Sequence, residues 1–344
     1  MTSPSLYAQA DFPLLQNRTY AMEAEAQECG LGDIDLAQDP VTGIVTNRSF
    51  DPSLAIYDTD YNNEQSHSPR FRAHMEDVGA LILRHMGPDG LIEVGCGKGT
   101  FLEQLVASGA GITGFDPTYE GDNPLIQKAY FSPDFWVEGK GLILRHVLEH
   151  IPEPVNFLKQ LAKANGGEGL IYIEVPCLDW ITRNRAWFDV FYEHVNYFRM
   201  SDFKRMFGRI VSAEWRFGGQ YLSIIADLSS LRGPAPGADV DWPADFSAAL
   251  SKGDAGGVVW GGASKGVIFS LLRQRAGVPV AGVIDINPDK QGRYLPVSGL
   301  RIMSPDQATE LLAPGALIYV MNPNYLDEIK AMTSHRFSYE SMSQ

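Results

Sequence analysis

The stretch of sequence that decides the fold is Leu91-Ile92-Glu93-Val94-Gly95-Cys96-Gly97-Lys98-Gly99-Thr100. Its first four residues predict a short buried strand, and the glycine-rich turn after them opens a helix over residues 101–107. Glycine permits tight turning and lets a ligand approach the backbone closely. The stretch therefore predicts a β–turn–α unit whose turn can hold a ligand.

The alternation of strands and helices continues on both sides of this unit. Upstream, Phe71, Met75, Val78 and Leu81 recur at helical spacing. Downstream, we predict strands at 111–115, 142–144 and 170–175, with a helix over 155–164. The runs VSAEWRF and YLSIIADL, between residues 211 and 228, are joined by a Gly-Gly-Gln turn that favours an antiparallel hairpin. The fold class is therefore α/β, a Rossmann-like parallel sheet that an antiparallel hairpin closes.

Composition divides the chain into four parts. Residues 1–55 are polar and rich in Pro and Gly, and they predict an irregular N-terminal leader laid on another domain. The first α/β domain is expected over 56–228. A Gly-, Pro-, Ser- and Asp-rich stretch, 229–252, is typical of a linker. From 253 to 344 a second, smaller Rossmann-like α/β domain is predicted, with strands at 258–260, 280–284 and 316–320 and a helix over 267–276.

Charge and cysteine content exclude several classes of protein. The 344 residues carry 28 Lys and Arg against 42 Asp and Glu, a net charge of −14 that repels phosphate backbones and anionic lipid. We therefore expect neither nucleic acid nor membrane as a partner. The start of the chain lacks signal-peptide features, and a cytoplasmic location is expected. The three cysteines, Cys29, Cys96 and Cys177, include no C-x-x-C pair and cannot build a four-cysteine zinc site.

The glycine turn points to a nucleoside ligand. Its spacing is G-x-G-x-G, whereas a dinucleotide fingerprint would place a third glycine at Thr100. Asp116 follows the second predicted strand, 21 residues after Gly95, where a carboxylate can accept hydrogen bonds from ribose hydroxyls. Because the turn in the second domain also misses the dinucleotide spacing, a nicotinamide-linked oxidoreductase is the least favoured function.

These residues resemble the cofactor site of class I S-adenosylmethionine-dependent methyltransferases, in which an acidic residue precedes G-x-G-x-G and a second acid follows one strand later. The resemblance implies S-adenosylmethionine as cofactor. It implies that Glu93, Gly95, Gly97 and Gly99 border the amino-acid part of this cofactor and that Asp116 holds its ribose. The order of α/β units followed by a hairpin is also similar to that fold.

Two segments carry residues suited to proton transfer. His146 and His150 lie in RHVLEHIP, after the fourth predicted strand, where side chains can face the methyl donor; packed or capping roles remain alternatives. Their spacing would suit a metal only with a third ligand. The segment WFDVFYEHVNYF, residues 187–198, surrounds Glu193 and His194 with aromatic side chains, an environment that suits a general base. The alternative is an aromatic-rich packed helix.

The two segments resemble those of nucleotide-sugar C-methyltransferases, which add a branch methyl to a 4-keto deoxysugar. The resemblance extends to Tyr57-Asp58-Thr59-Asp60-Tyr61, to the GASKG turn at 262–266 and to DINPDKQGRYLP at 285–296, and covers most of residues 56–330. Two departures stand out. No cysteines mark the family's N-terminal zinc module, so no metal is expected and the leader is interpreted as its degenerate counterpart. Phe191 and Tyr192 replace the tyrosine and first histidine of the family's Tyr-His-Glu-His run.

The resemblance implies a role for each candidate residue. His194, oriented by Glu193, would remove a proton from the carbon next to a ketone, and the resulting enolate would attack the methyl group. His150 and Tyr61 would stabilise the developing oxyanion, and His146 would border the cofactor. The residues expected to contact a small, anionic substrate are Tyr57, Tyr192, Tyr197, Lys265 and Arg293. Solvated surface charge is the alternative for the last two.

Two further functions stay open on the sequence alone. One is methyl transfer to oxygen or nitrogen of another small anionic metabolite, because the same fold serves many acceptors. The other is a cofactor-binding scaffold without turnover. The sequence does not identify the acceptor, the stereochemistry or the oligomeric state.

Overall fold

A computed structural model describes residues 3–57, 60–135, 139–253 and 255–342. These residues form three sheets with helices packed on them, which confirms the α/β fold class. Asp58 and Thr59, part of the tyrosine-bearing segment, lie outside the described residues. Within the described ranges, no helix combines the length and the apolar character needed to cross a membrane.

The N-terminal segment forms a sheet, and the prediction of an irregular leader is wrong. Its elements are strand β1 (Ser5–Pro13), helix α1 (Glu23–Gln27), strand β2 (Leu31–Gln38) and strand β3 (Val45–Asn47). β1 pairs antiparallel with β2, and β2 pairs antiparallel with β3.

A break in strand register explains why the sequence pattern concealed β1. Tyr7 and Phe12 both belong to the main core but stand five residues apart, a spacing that would put them on opposite faces of a regular strand. The β1–β2 register shifts between Gln9 and Phe12, and such an irregularity redirects the side chains that follow it. The alternation of buried and exposed residues that marks a regular strand is therefore missing from the sequence, although β1 is present.

The central sheet has seven strands and carries the glycine turn. In chain order its elements, with the strand that returns to the N-terminal sheet, are helix α2 (Pro69–Met86), β4 (Leu91–Val94), α3 (Thr100–Ala107), β5 (Ile112–Phe115), β6 (Ile126–Gln127), β7 (Gly141–Arg145), α4 (Pro154–Ala164), β8 (Leu170–Pro176), α5 (Leu178–Arg183), β9 (Asn196–Tyr197), α6 (Met200–Met206), β10 (Ile210–Arg216) and β11 (Tyr221–Asp227). The order across the sheet is β10-β11-β8-β7-β4-β5-β6. The pairs from β8 to β6 are parallel, and β11 pairs antiparallel with both β8 and β10.

β9 lies outside this sheet and joins β3 of the N-terminal sheet. The segment that contains Glu193 and His194 is therefore held between the N-terminal sheet and the central sheet. It consists of a short 3-10 helix at Trp187–Asp189 and a loop that leads into β9, rather than the packed helix considered as an alternative.

The C-terminal sheet has five parallel strands in the order β14-β13-β12-β15-β16. Its elements are β12 (Val258–Trp260), α7 (Ser264–Arg275), β13 (Gly282–Ile284), β14 (Ile302–Met303), α8 (Pro305–Leu311), β15 (Leu317–Val320), α9 (Leu326–Met332) and β16 (Ser338–Ser341). α7 packs on the segment before His194, where the Phe269 and Trp187 rings stack with centroids 5.2 Å apart.

The stretch expected to be a linker packs on the N-terminal sheet. Phe246 is buried and meets Tyr7 edge-on at 5.2 Å between centroids, while Trp242 stacks on the same tyrosine at 6.0 Å. One apolar cluster includes Phe12, Ile92 and Phe269, so it joins all three sheets. The domain boundaries given above remain a proposal.

Candidate active site

The glycine turn lies between β4 and α3 in a left-handed backbone conformation. Gly95, Gly97 and Gly99 have φ angles of 74°, 55° and 86°. A Cβ atom on Gly95 would lie 2.5 Å from Val147, and one on Gly99 would lie 2.5 Å from Ile126. At Gly97 no atom lies within 4 Å of that position. Two of the glycines therefore permit close packing, while Gly97 presents open space that a ligand can approach.

Asp116, directly after β5, fixes the turn. Gly97 N donates to Asp116 Oδ2 at 2.8 Å, and Thr118 N donates to Asp116 Oδ1 at 2.8 Å. The carboxylate thus lies beside the turn, as expected, and holds the backbone of the residue that faces open space. Its contact with a ribose remains a prediction.

Glu93, at the end of β4, is a buried acid with an unused oxygen. Its side chain is 3% exposed, and Oε2 has no hydrogen-bond partner among the described residues. Burial raises the pKa of this carboxyl to about 8, with Arg145 opposing and Asp116 adding to the shift. An uncompensated buried acid fits a site for a cationic group. Together with the open space at Gly97, it fits the aminoacyl nucleoside S-adenosylmethionine.

Glu174 on β8 is a charged centre that the sequence analysis overlooked. It is fully buried and accepts hydrogen bonds from Tyr172 Oη at 2.7 Å and Arg145 Nη2 at 3.1 Å. His74 Nε2 lies 3.3 Å from it. Burial alone would raise the pKa of Glu174, but Arg145, His146 and His74 hold that pKa well below its ordinary value.

His146 lies between two carboxylates. Its Nδ1 is 3.3 Å from Glu149 Oε1, and its Nε2 is 3.1 Å from Glu174 Oε1 without hydrogen-bond geometry. Burial lowers the pKa of His146, but these two carboxylates outweigh burial and raise it to about 9. His146 is therefore an imidazolium at neutral pH, a fixed positive charge beside the cavity described below.

Glu193 contacts His150, and among the described residues no hydrogen bond joins its side chain to His194, so its expected role in orienting His194 stays a prediction. His150 Nδ1 lies 3.0 Å from the Glu193 carbonyl oxygen and 3.8 Å from Glu193 Oε2. A carbonyl oxygen only accepts, so this contact requires a proton on His150 Nδ1. Gln16 N donates to Glu193 Oε1 at 3.2 Å. Burial raises the pKa of Glu193, with His150 opposing.

His194 presents a neutral imidazole. Its ring meets those of His150 and Phe191 edge-on, with centroids 4.9 Å and 4.8 Å away. Among the described residues it makes no side-chain hydrogen bond. Burial, together with the charges of His150, His146 and Lys265, holds the pKa of His194 well below its ordinary value. The ring is thus available to accept a proton or bind an ion.

The two tyrosines of the 57–61 segment lie next to these histidines. Tyr57 Oη is 3.1 Å from His150 Nδ1, and the Tyr57 and Tyr61 rings meet edge-on at 4.9 Å. Tyr61 Oη accepts a hydrogen bond from Asn17 Nδ2 at 3.2 Å. Burial, followed by the charge of Glu193, raises the pKa of both tyrosines, which keeps their hydroxyls protonated.

The hydroxyls of Tyr192 and Tyr197 make hydrogen bonds within the fold, and their expected contact with a substrate stays a prediction. The Tyr192 hydroxyl accepts a hydrogen bond from Asp51 N at 2.9 Å, and its ring packs on Phe50. The Tyr197 hydroxyl donates to Phe191 O at 3.0 Å and accepts from Phe191 N at 2.9 Å. Both tyrosines are buried, and neither lines the cavity.

Of the two basic residues expected to bind an anion, only Lys265 faces the cavity. Its ammonium already pairs with Asp189 at 2.8 Å and donates to Gln220 Oε1 at 2.9 Å. Arg293 instead joins the C-terminal unit to the N-terminal segment, since it donates to Thr19 and pairs with Asp60 at 2.9 Å. The prediction that Arg293 faces an interdomain anion is not supported by these contacts.

The C-terminal sheet repeats the geometry of the glycine turn. Gly262 N, after β12, donates to Asp285 Oδ2 at 2.7 Å, as Gly97 N does to Asp116. Asp285 Oδ1 accepts from Asn287 N at 2.7 Å, which matches the bond from Thr118. Lys290 nearby is buried and makes no side-chain hydrogen bond within the described ranges; burial lowers its pKa.

One cavity brings these groups together between the three sheets. From the central unit it is lined by His146, Glu149, His150, Asp189, Phe191 and His194; from the C-terminal unit by Gly261, Ala263, Ser264, Lys265, Asp285 and Lys290; and from the N-terminal part by Asn17, Tyr61 and Glu64. The glycine turn adjoins this cavity. Gly95 packs on Val147, the neighbour of His146, and Thr100 Oγ1 donates to Glu64 at 2.7 Å.

Several of these residues carried a usable signal in the sequence. Glu174 interrupts an otherwise apolar strand, and a charge in such a strand needs buried partners. Glu149 lies between the two predicted histidine positions. Lys290 and Asp189 carried no comparable signal, because their place in the cavity depends on how the sheets pack.

An α/β unit with a glycine turn, a strand-end acid and an adjoining cavity defines a nucleoside-cofactor enzyme. Residues 69–210, from α2 to the first residue of β10, match the family model described as a methyltransferase domain. The chain is an enzyme, a methyltransferase that uses S-adenosylmethionine. No curated protein matches the chain.

Solved structures with low overall similarity include three methyltransferases. The 1,6-didemethyltoxoflavin-N1-methyltransferase of Burkholderia thailandensis is 15% identical, covering 45% of this chain and 78% of its own, with a TM-score of 0.34. A methyltransferase from Archaeoglobus fulgidus is 17% identical, and the match covers 46% of this chain and 96% of that protein with a TM-score of 0.35. Magnesium protoporphyrin IX methyltransferase from Synechocystis PCC 6803 is 16% identical, and the match covers 46% of this chain and 78% of that protein with a TM-score of 0.33.

Proposed function

We propose that the protein methylates a carbon next to a ketone in a small anionic acceptor, best described as a nucleotide-linked keto-deoxysugar. The observation that carries this proposal is the imidazole of His194, which makes no side-chain hydrogen bond among the described residues and lines a cavity shared with the second glycine-containing turn. Carbon methylation needs a base that removes a weakly acidic proton, whereas an already nucleophilic amine does not.

S-adenosylmethionine supplies an electrophilic methyl group when it is bound. Glu93 and the Gly97 backbone are the residues that would hold its amino-acid part, and Asp116 would hold its ribose. His194 would accept the proton from the acceptor carbon. The Tyr61 hydroxyl and, when both ring nitrogens carry a proton, Nε2 of His150 would donate to the oxygen on which the negative charge develops, a type of stabilisation worth about 3–4 kcal/mol where it has been measured.

Acceptor binding would fall to the C-terminal side of the cavity. α7 begins there, and backbone N–H groups at a helix N-terminus favour anions. Lys290 is buried and makes no side-chain hydrogen bond with the part of the chain that the structure describes, and Lys265 lines the same cavity. The repeat of the Gly97–Asp116 contact at Gly262 and Asp285 supports a nucleotide as the bound part of the acceptor.

The test is methyl transfer from labelled S-adenosylmethionine to a panel of keto-sugar nucleotides. We expect a new carbon–methyl bond next to the ketone. His194→Asn should lower kcat by about 100- to 10,000-fold, the usual size of a general-base contribution, without weakening cofactor binding. The exposed His335→Asn variant is the control and should keep full activity. A methyl group on oxygen or nitrogen, or an active His194→Asn variant, would contradict the proposal.

A further inference from the structure

The cavity contains a cluster of metal-ligand side chains that the proposed reaction does not require as a set. Glu149, His150 and His194 each offer one ligand atom, and the three atoms lie within 4.8 Å of one another. Two imidazoles and one carboxylate are the ligand set of many sites that bind first-row divalent metals on one face. No metal was expected from the sequence, because the four cysteines of the zinc module are missing.

Each of the three groups has capacity left for an ion. Glu149 is 1% exposed, and its Oε2 has no hydrogen-bond partner among the described residues. The Nδ1 of His150 is occupied by the Glu193 carbonyl oxygen, which leaves Nε2 as the ring nitrogen that can coordinate an ion. His194 makes no side-chain hydrogen bond within the described ranges.

The surroundings resemble the outer shell of a metal site. Ligating histidines usually donate their second ring nitrogen to a carbonyl or carboxylate, as His150 does to Glu193 O at 3.0 Å. Ligating carboxylates are in turn held by a neighbour, and His146 Nδ1 lies 3.3 Å from Glu149 Oε1. Lys265, a cation on the cavity wall, is neutralised by Asp189 at 2.8 Å.

The distances are compatible with a contracted, loaded state. Neighbouring ligands on an ion with metal–ligand bonds of about 2.1 Å lie about 3.0–3.4 Å apart. The longest separation, up to 4.8 Å, therefore has to shorten by about 1.4–1.8 Å, which side-chain rotations accomplish. We propose that Glu149, His150 and His194 bind one divalent transition-metal ion such as Zn²⁺ or Co²⁺.

Metal binding would change what the cavity can do. The lone pair of His194 that coordinates an ion cannot also accept a proton, so a bound ion should slow carbon methylation; this consequence rests on the proposed function. The open coordination positions would instead attract an acceptor that offers two neighbouring oxygens. The metal site itself is independent of which reaction the enzyme performs.

The test measures metal binding without donor or acceptor. Untagged, metal-free full-length protein is titrated with Co²⁺ by visible absorption and with Zn²⁺ by calorimetry, and one ion per chain is expected. Glu149→Gln and His194→Asn should each weaken binding at least about tenfold, since even outer-shell changes cost that much. His335→Asn, which removes an exposed histidine, should bind like the wild type.

Two outcomes would overturn the metal site: no saturable binding of one ion, or equal binding by the wild type and both ligand variants in proteins that keep the wild-type circular dichroism spectrum. Because the titration contains no acceptor, its failure leaves the proposed methyl transfer untouched. If the protein binds the ion but methylates no ketone, the metal site is supported and the proposed function is refuted.

Discussion

At the residue scale, the sequence located the residues of the glycine turn more completely than the surroundings of His194, while the roles of both groups stay predictions. Glu93, the three glycines and Asp116 were identified because their spacing along one strand–turn–helix unit fixes their positions. Glu193 precedes His194 in the sequence, but this position did not predict that Glu193 lies beside His150. Neighbouring residues in an irregular segment point in directions that only the packing of β9 and the 57–61 segment determines.

Substitution of Gly97 can show whether this residue contributes to cofactor binding apart from its contribution to stability. An alanine there meets no atom within 4 Å, but its positive φ of 55° costs about 1–2 kcal/mol for a residue with a Cβ. Gly167→Ala is the matched control, because Gly167 also has a positive φ and open space but lies in a turn after α4.

Both variants should lose similar stability in urea unfolding, and only Gly97→Ala should weaken binding of S-adenosylhomocysteine, measured by calorimetry. Equal cofactor affinity in the two variants would remove Gly97 from the cofactor site.

Glu93 makes a testable contribution to pH-dependent stability. Its pKa of about 8 in the folded protein lies above the ordinary value of 4.5, so the folded state holds this proton more tightly than the unfolded state. The free energy of unfolding should therefore fall as pH rises from about 4.5 to about 8, at up to about 1.4 kcal/mol per pH unit. The Glu93→Gln variant should not show this pH-dependent decrease in the free energy of unfolding, because its side chain does not titrate.

Urea unfolding of cofactor-free protein at pH 5 and pH 8.5 measures the effect. The stability of Glu93→Gln relative to the wild type should increase between the two pH values, whereas that of the exposed control Glu120→Gln should stay constant. A pH-independent difference for Glu93→Gln would show that the carboxyl titrates normally.

At the element scale, the regular α/β segments followed from the sequence and the N-terminal sheet did not. The core strands β4, β5, β7 and β8 and the helices α2 to α4 carry strong apolar patterns. β1 is bulged, and β3 and β9 have three and two residues. Pairing with neighbouring strands stabilises such short strands, so their own sequences carry only a weak strand pattern.

Phe12 tests whether the N-terminal sheet is part of the folded core. Its ring is 0% exposed, and Phe12→Ala should lower the free energy of unfolding by about 3–5 kcal/mol. Leu31 on β2 is 41% exposed, and Leu31→Ala should cost much less. Urea unfolding measures both. Similar small losses would mean that the segment lies loosely on the rest of the protein.

At the scale of the whole molecule, the sequence indicated the parts but not how closely they are joined. The cluster containing Phe12, Ile92 and Phe269 extends through all three sheets. Gln220 and Asn322 exchange hydrogen bonds of 2.7 Å and 2.9 Å between the central and C-terminal units. The shared cavity exists because of these contacts, which no motif encodes.

This continuity predicts cooperative unfolding. Scanning calorimetry of the wild type should give one transition whose calorimetric and van't Hoff enthalpies agree. Asn322→Ala, which leaves the buried amide of Gln220 short of a partner, should lower the free energy of unfolding by about 1–3 kcal/mol. Two separate transitions in the wild type would instead support independent domains joined by the 229–252 segment.

The central claim is that the methyl donor lies in the glycine turn with its reactive end directed at His194. The most direct measurement is a crystal structure of the protein with sinefungin, an S-adenosylmethionine analogue in which an amine-bearing carbon replaces the methyl-bearing sulfonium. We predict its amino-acid group beside Glu93, its ribose at Asp116 and its amine opening into the cavity that His194 lines. An analogue bound elsewhere, or with its amine turned away from that cavity, would contradict the account.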